Sequence, residues 1–171
     1  MLAWPLPREA WQAETLPVAS ADGSFIRGAA GWGVVLVDPD TGVVVQQCGP
    51  VVLTSGPLFI GAVVASNNTG ELTAMYMALK LIHDTWGVDA RVVLEYDSEY
   101  AAGVARGLLR PRCNLALAMH VKRAAQRVAG ITWRKARAHT GLALNDRADR
   151  LARCGAAGMM TGAVLQTQLA D

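Results

Sequence analysis

Two apolar runs joined by a short turn restrict this chain to folds with an antiparallel hairpin in the first part of the sequence. The runs cover residues 31–37 and 43–47, and residues 38–42 between them read Asp-Pro-Asp-Thr-Gly. Asp, Pro and Gly are typical of a tight turn, so the two runs are predicted to pair as neighbouring strands. An earlier strand is predicted at residues 16–22, where it ends at an Asp-Gly-Ser sequence.

The rest of the chain alternates between helical and strand patterns. Four apolar residues recur at helical spacing and predict a helix that begins at Asn68 and ends before Gly87: Leu72, Met75, Leu79 and Ile82. Further strands are predicted at 91–96 and 131–135, and further helices at 98–109, 114–129 and 145–154. The order βββαβααβα predicts an α/β protein with a mixed five-stranded sheet. Its three antiparallel strands come first, parallel strands follow, and helices cover both faces.

The composition indicates one globular domain. The 171 residues are 52% hydrophobic and 18% charged, which favours a packed core and argues against disorder. We expect this domain at residues 15–156. An N-terminal extension or linker is expected at 1–14 and a C-terminal tail at 157–171, and the tail has no pattern that assigns it to a helix or a strand.

The sequence lacks the signals of a membrane or secreted protein. No apolar run approaches the roughly 18 residues needed to cross a bilayer, and the first residues lack the pattern of a signal peptide. Three widely spaced cysteines are typical of free thiols in a reducing compartment: Cys48, Cys113 and Cys154. We therefore expect no membrane partner and a cytoplasmic location, or a nuclear one in a eukaryote.

The basic residues are concentrated in one part of the chain. No acidic residue lies between Glu99 and Asp146, and that window holds nine basic ones: Arg106, Arg110, Arg112, Lys122, Arg123, Arg127, Arg134, Lys135 and Arg137. Such a region is suited to binding a polyanion. A solvated basic helix face is the alternative, and the window alone does not decide between the two.

Four acidic residues lie in short polar motifs spread along the chain: Asp22, Glu71, Asp97 and Asp149. Asp22 and Asp97 come at the ends of predicted strands, where open α/β sheets place their ligand sites. Carboxylates that converge from four motifs can hold two divalent cations, and two cations can drive in-line attack on a phosphodiester. The four residues are therefore candidate metal ligands of a nuclease.

Each carboxylate also has an ordinary structural interpretation. Asp22 can belong to a strand-ending turn, and Glu71 lies near the start of its helix, as in a capping box. Asp97 can cap the helix that follows it, and Asp149 can pair with Arg153 four residues later. These interpretations explain the residues one at a time, but they do not require all four motifs in one chain.

Taken together and in order, the motifs resemble those of the ribonuclease H family over residues 16–156. The resemblance is to type 1 ribonuclease HI, including the ribonuclease H domains of reverse transcriptases. It rests on Asp-Gly-Ser at 22–24, Asn-Asn-x-x-Glu at 67–71 and Tyr-Asp-Ser-x-Tyr at 96–100. It rests also on His-x-Gly at 139–141, followed by Asn-x-x-x-Asp at 145–149.

The resemblance implies a two-metal site with two Mg²⁺ ions, for which Mn²⁺ can substitute. Asp22 would bridge both ions, and Asp149 would help to hold the ion that activates water. Glu71 and Asp97 would hold the ion that stabilises the leaving 3′ oxygen. His139 would assist catalysis by helping product to leave or by moving a proton, although an exposed loop histidine is the plain alternative.

The resemblance also implies contacts to an RNA–DNA hybrid, with RNA recognised through its 2′-hydroxyls. The matching positions are Gly23, Ser24, Ser66, Asn67 and Asn68, although loop and cap chemistry alone could explain the two asparagines. Glu99 stands where many members of the family have Gln. The loop at 25–30 is short, and the segment before His139 lacks the Trp-rich basic helix of some bacterial members.

We therefore expect an endonuclease that hydrolyses the RNA strand of RNA–DNA hybrids and leaves 5′-phosphate and 3′-hydroxyl ends. It is expected to be a monomer, either free-standing or attached to or working with a reverse transcriptase. Two alternatives remain open. One is a related DNA nuclease of the resolvase or transposase type, and the other is a non-catalytic nucleic-acid-binding module.

Overall fold

The computed structural model describes residue 6 and residues 8–136 and 144–167 of the chain. A short 3-10 helix at Arg8–Ala10 precedes the main elements. The six strands are β1 (Val18–Ile26), β2 (Ala29–Asp38), β3 (Val43–Pro50), β4 (Arg91–Tyr96), β5 (Gly130–Lys135) and β6 (Thr161–Thr167). The four α-helices are α1 (Asn67–Trp86), α2 (Glu99–Ala105), α3 (Leu115–Gln126) and α4 (Leu144–Ala156).

The strands form one mixed sheet in the order β5-β4-β1-β2-β3-β6. β1, β2 and β3 pair antiparallel, as the turn at 38–42 predicts, and β4 and β5 pair parallel next to β1. The predicted α/β class and mixed topology are confirmed. The sheet has six strands instead of five, because part of the unassigned C-terminal segment pairs antiparallel with β3.

The two faces of the sheet carry separate hydrophobic clusters. Side chains of β1 and β2 alternate between them: Val34 and Leu36 belong to the cluster with α1, α2 and α3, whereas Val35 and Val37 belong to the cluster with α4. This alternation is expected of strands buried on both sides. The prediction that helices cover both faces is therefore confirmed.

The described part of the predicted N-terminal extension packs onto the face that carries α4. Leu6 and Trp11 are buried in that cluster. Glu14 makes two hydrogen bonds to the Arg134 guanidinium on β5, at 2.8 and 3.1 Å, and Arg134 Nε donates to Glu95 on β4 at 3.1 Å. These contacts fasten the segment across the edge of the sheet.

Helix boundaries depend on local hydrogen bonds that apolar periodicity does not predict. α1 begins at Asn67 because Ser66 is its N-cap, and the Ser66 hydroxyl accepts from the Thr69 amide at 3.1 Å. α2 ends at Ala105, earlier than the predicted 109. Gly107 has a positive φ of 73°, which turns the chain back over the end of α2 and stops the helix.

None of the helices within the described residues is long and apolar enough to cross a membrane.

Candidate active site

Asp22 and Asp97 lie beside one another because β1 and β4 are parallel neighbours. Their register pairs Ala21 with Tyr96, so Asp22 and Asp97 occupy the next position on each strand. β4 ends there, as predicted. The prediction that β1 also ends at Asp22 is wrong: Asp22 lies inside β1, opposite Gly33, because β2 continues to pair with β1 beyond that point.

Glu71 approaches Asp22 because β1 and the first turns of α1 are in close contact. A Cβ atom on Gly23 would overlap the backbone nitrogen of Glu71, so only glycine permits this approach. The side chains of Asp22 and Glu71 share a hydrogen bond, and both residues are buried, with 7% and 9% of their surface exposed. The Gly23 amide donates to Asp22 Oδ1 at 2.9 Å.

The two buried carboxyl groups have strongly raised pKa values. Burial is the largest cause for both, because it disfavours the charged form. The pKa of Asp22 is raised to about 7 by burial and then by the charges of Asp149 and Asp97. The pKa of Glu71 is raised to about 8 by burial and by the charges of Asp22 and Asp97. The hydrogen bond between them lowers the pKa of Asp22 and raises that of Glu71, as expected if Glu71 carries the proton.

Asp149 reaches the same cluster from α4, on the opposite face of the sheet. α4 packs directly on β2 at Gly33, where a Cβ atom would overlap the carbonyl oxygen of Ala148. The Arg153 guanidinium holds the Asp149 carboxylate through two contacts, at 3.0 and 3.1 Å. Asp149 therefore forms the predicted ion pair. Its charge also raises the pKa of Asp22 more than the charge of Asp97 does.

Helix capping does not account for Asp97 or Glu71. The N-cap of α2 is Ser98, whose hydroxyl accepts from the Ala101 amide at 3.1 Å, and the N-cap of α1 is Ser66. Asp97 is exposed at the end of β4. Neither acidic side chain is occupied by a cap, so the capping interpretation of both residues is wrong.

The four carboxylates interact electrostatically but do not form a closed metal centre. Among residues 6, 8–136 and 144–167, no three Asp, Glu, His or Cys side chains are grouped so that they could hold a metal ion. The chemistry of the donors nevertheless fits a hard divalent cation. All are carboxylate oxygens, and two of them are buried against like charge, with no basic side chain from the described residues bonded to them.

The sequence pattern of the ribonuclease H family matches residues 18–157. The chain belongs to the ribonuclease H family. No curated protein matches it.

Solved structures of other ribonuclease H proteins share the fold. The N-terminal ribonuclease H domain of Rv2228c from Mycobacterium tuberculosis, solved as a fusion with maltose binding protein, is 20% identical with a TM-score of 0.63, over 82% of this chain and 93% of that one. RNase H1 from the halophilic archaeon Halobacterium salinarum is 22% identical with a TM-score of 0.59, over 81% and 96%. LC11-RNase H1 in complex with an RNA/DNA hybrid is 20% identical with a TM-score of 0.59, over 82% and 96%.

The predicted substrate residues of this ribonuclease H domain lie in two segments that contact one another, β1 and the start of α1. Gly23 and Ser24 follow Asp22 in β1, and Ser24 is buried. Ser66 caps α1 and its hydroxyl also lies 2.8 Å from the Thr69 hydroxyl. Asn67 and Asn68 are exposed in the first turn of α1, near the Gly23–Glu71 contact.

Of the two remaining predicted site residues, the structure describes Glu99 but not His139. Glu99 is exposed in the first turn of α2, and its carboxylate accepts from Lys135 Nζ at 2.7 Å, so β5 supplies a positive charge to it. His139 lies outside the described residues. Asn145, the first residue of the Asn-x-x-x-Asp motif, is buried inside α4, which begins at Leu144.

Asn114 is a structural residue of this region that the sequence did not single out. It is buried with a positive φ of 52° and makes no cap bond to α3. Its Oδ1 accepts from the Val63 amide at 2.8 Å, and its Nδ2 donates to the Thr69 hydroxyl at 3.1 Å. The Thr69 hydroxyl in turn donates to the Val64 carbonyl at 2.7 Å. Asn114 therefore ties the loop before α1 to α3, although in sequence it resembles an ordinary helix cap.

Proposed function

We propose that this ribonuclease H domain hydrolyses the RNA strand of RNA–DNA hybrids. The main support for the proposal is that acidic residues from separate parts of the fold act on Asp22: Asp97 and Asp149 both raise its pKa, and Glu71 shares a hydrogen bond with it. Family membership supports the same activity. The expected products are a 5′-phosphate and a 3′-hydroxyl.

Asp22, Glu71, Asp97 and Asp149 would hold the two Mg²⁺ or Mn²⁺ ions that the family resemblance implies. Such ions, when bound, supply a water of lowered pKa and stabilise charge on a departing oxygen. Asp22 occupies the central position in this proposal, since all three other acidic residues interact with it. Because burial raises the pKa values of Asp22 and Glu71, cation binding there would be favoured as pH rises and the two carboxyls ionise. Until a cation binds, Arg153 pairs with the Asp149 carboxylate.

The start of α1 is suited to the substrate backbone. The first amide groups of a helix and its dipole favour phosphate oxygens. Asn67 and Asn68 are exposed there, and Asn114 fixes the preceding loop through Val63 and Thr69. We assign Asn114 the role of a positioning residue. We also propose that His139 assists product release, as the family resemblance implies.

Glu99 is one of the positions at which the chain departs from the family pattern. A carboxylate beside substrate phosphates would repel them, but here Lys135 pairs with it. The pair as a whole is neutral. We therefore expect that hybrid binding tolerates Glu99, and that it depends on Lys135 remaining in place.

Cleavage of one labelled RNA strand tests the proposal. The strand is presented alone, paired with DNA and paired with RNA, in Mg²⁺ and again in Mn²⁺, with wild type and Asp22→Asn. We expect cutting only of the RNA–DNA hybrid, and its loss in the variant. Hybrid binding without cutting under any condition would support the non-catalytic module instead, and cutting of duplex DNA would support the resolvase or transposase type.

A further inference from the structure

We propose that a groove between the end of α2 and α3 binds an acidic, amphipathic peptide segment of another protein. This α2–α3 groove has a volume of about 290 Å³. Its lining is mostly aliphatic with basic groups at its edge, and includes Val104, Leu109, Pro111, Leu115, Met119 and Lys122. None of these residues contributes to the carboxylate cluster.

The groove is built by hydrogen bonds in the connection between the two helices. The amides of Leu108 and Leu109 both donate to the carbonyl of Gly103, at 2.8 and 3.1 Å. These bonds lay the Leu109 side chain against α2, where a Cβ atom on Gly103 would lie 2.6 Å from Leu109 Cδ1. Asn114 fixes the start of α3 through its two side-chain hydrogen bonds. The floor of the groove is therefore held in one conformation before any partner binds.

Large apolar side chains are exposed around this groove. The exposed fraction is 67% for Leu108, 63% for Leu115, 50% for Met119 and 46% for Leu109. Single exposed apolar residues are common on proteins, but a contiguous group is typical of an interaction site. Helix-in-groove recognition uses aliphatic anchors of this kind, and methionine adapts to the shape of its partner.

The charge around the groove selects the chemistry of the partner. Five exposed basic residues surround it: Arg106, Arg110, Arg112, Lys122 and Arg123. The sequence has no acidic residue from position 100 to position 145. A surface of one charge attracts a partner of the opposite charge and repels others. The partner that fits both features is a peptide in which acidic residues flank leucine or similar side chains.

A protein partner fits this surface better than a nucleic acid. Nucleic-acid surfaces combine basic groups with aromatic side chains that stack on bases. The exposed apolar residues at the groove are leucine and methionine. The groove also lies at the C-terminal end of α2, whereas Asp97 lies two residues before its N-terminal end, so about 10 Å of helix separates them.

Fluorescence anisotropy of the full chain tests this inference. The probe is a labelled twelve-residue peptide with leucines at helical spacing and glutamates elsewhere, and its control peptide replaces the leucines with serine. The variants are Leu115→Ser with Met119→Ser, and Arg110→Glu with Lys122→Glu. Val88→Ser is the matched control, because Val88 is 55% exposed and lies outside the groove. An uncut RNA–DNA hybrid in EDTA is measured in parallel.

We expect the leucine peptide to bind wild type and Val88→Ser equally, and at least tenfold more weakly to both groove variants. Hybrid binding should be unchanged in Leu115→Ser with Met119→Ser. The inference is overturned if the leucine peptide does not bind, or binds all variants equally. It is also overturned if the serine peptide binds as well, or if the apolar variant loses hybrid binding together with peptide binding.

Discussion

The inner carboxylates, Asp22 and Glu71, differ from the outer carboxylates, Asp97 and Asp149, in how their charge is compensated. The inner pair is buried, and in the described part of the chain neither makes an ion pair with a basic residue. Asp149 is paired with Arg153 and Asp97 is exposed to water. Burial and mutual repulsion therefore act mainly on the inner pair.

This difference means that the stability penalty of the site comes mainly from the inner pair. The inner pair destabilises the folded state whenever both carboxyls are ionised, because charge is buried without a partner. A proton or a divalent cation can remove that penalty. The outer carboxylates are compensated by water or by arginine, so they can stay charged without one. Substitutions at the inner and the outer carboxylates should therefore have different effects.

The largest expected effect is on cleavage. Asp22→Asn removes the carboxylate that interacts with all the others, and should lower hybrid cleavage by about a hundredfold or more. Asp40→Asn, in the exposed turn between β2 and β3, is the matched control and should leave the rate unchanged. Steady-state kinetics on one hybrid compare the two. Equal rates for wild type and Asp22→Asn would show that Asp22 is not in the catalytic machinery.

The next effect is on stability as a function of pH. The pKa values of about 7 and 8 for Asp22 and Glu71 lie above those of an unfolded chain, so the folded state holds protons that the unfolded state has released. In EDTA, stability should therefore fall as pH rises from about 4 to 8. Glu71→Gln should raise the free energy of unfolding at pH 8 by roughly 2 kcal/mol and have little effect at pH 4.

Asp97→Asn serves as the outer-half control in the same urea titrations. Because Asp97 is exposed, its substitution should change the free energy of unfolding little at either pH. A comparable gain from Asp97→Asn and Glu71→Gln at pH 8 would remove the distinction between inner and outer carboxylates.

A stability effect of similar size is expected at Asn114, which supports the loop before α1. Asn114→Ala leaves the Val63 amide and the Thr69 hydroxyl without their partner, which should cost about 1–3 kcal/mol in urea unfolding. The KM for the hybrid should rise more than kcat falls, since the start of α1 is the proposed phosphate contact. A loss confined to kcat would contradict a positioning role.

The smallest effect is expected at Arg153, whose side chain is 64% exposed. Arg153→Gln should change stability by no more than about 1 kcal/mol, as is usual for exposed ion pairs. Because the arginine competes with a cation for Asp149, Mn²⁺ should bind the variant a fewfold more tightly in calorimetry. Weaker Mn²⁺ binding would mean that Arg153 supports the site instead of competing for it.

The motifs predicted which carboxylates interact, because the position of most of them depends mainly on local sequence. Asp97 follows a strand with a clear apolar pattern, and Asp149 lies in a strongly amphipathic helix. The position of Asp22 inside β1 could not be predicted in this way. The length of β1 is decided by continued pairing with β2, which is a property of the neighbour.

The remaining differences also arise from contacts between distant parts of the chain. β6 has a Gly-containing sequence without strand alternation, and it is a strand because β3 offers an unpaired edge. Asn114 matches the preference for helix caps, but its side chain bonds to Val63 and Thr69 instead. Its role depends on residues about 50 positions away, which no local pattern reports.

A crystal structure of the protein in Mn²⁺, with anomalous diffraction recorded to locate the ions, tests directly whether the four carboxylates bind metal. We predict anomalous peaks within coordinating distance of Asp22, shared on one side with Asp149 and on the other with Glu71 and Asp97. Absence of any peak at Asp22 in crystals that bind Mn²⁺ elsewhere would contradict the claim that the four carboxylates form a metal site.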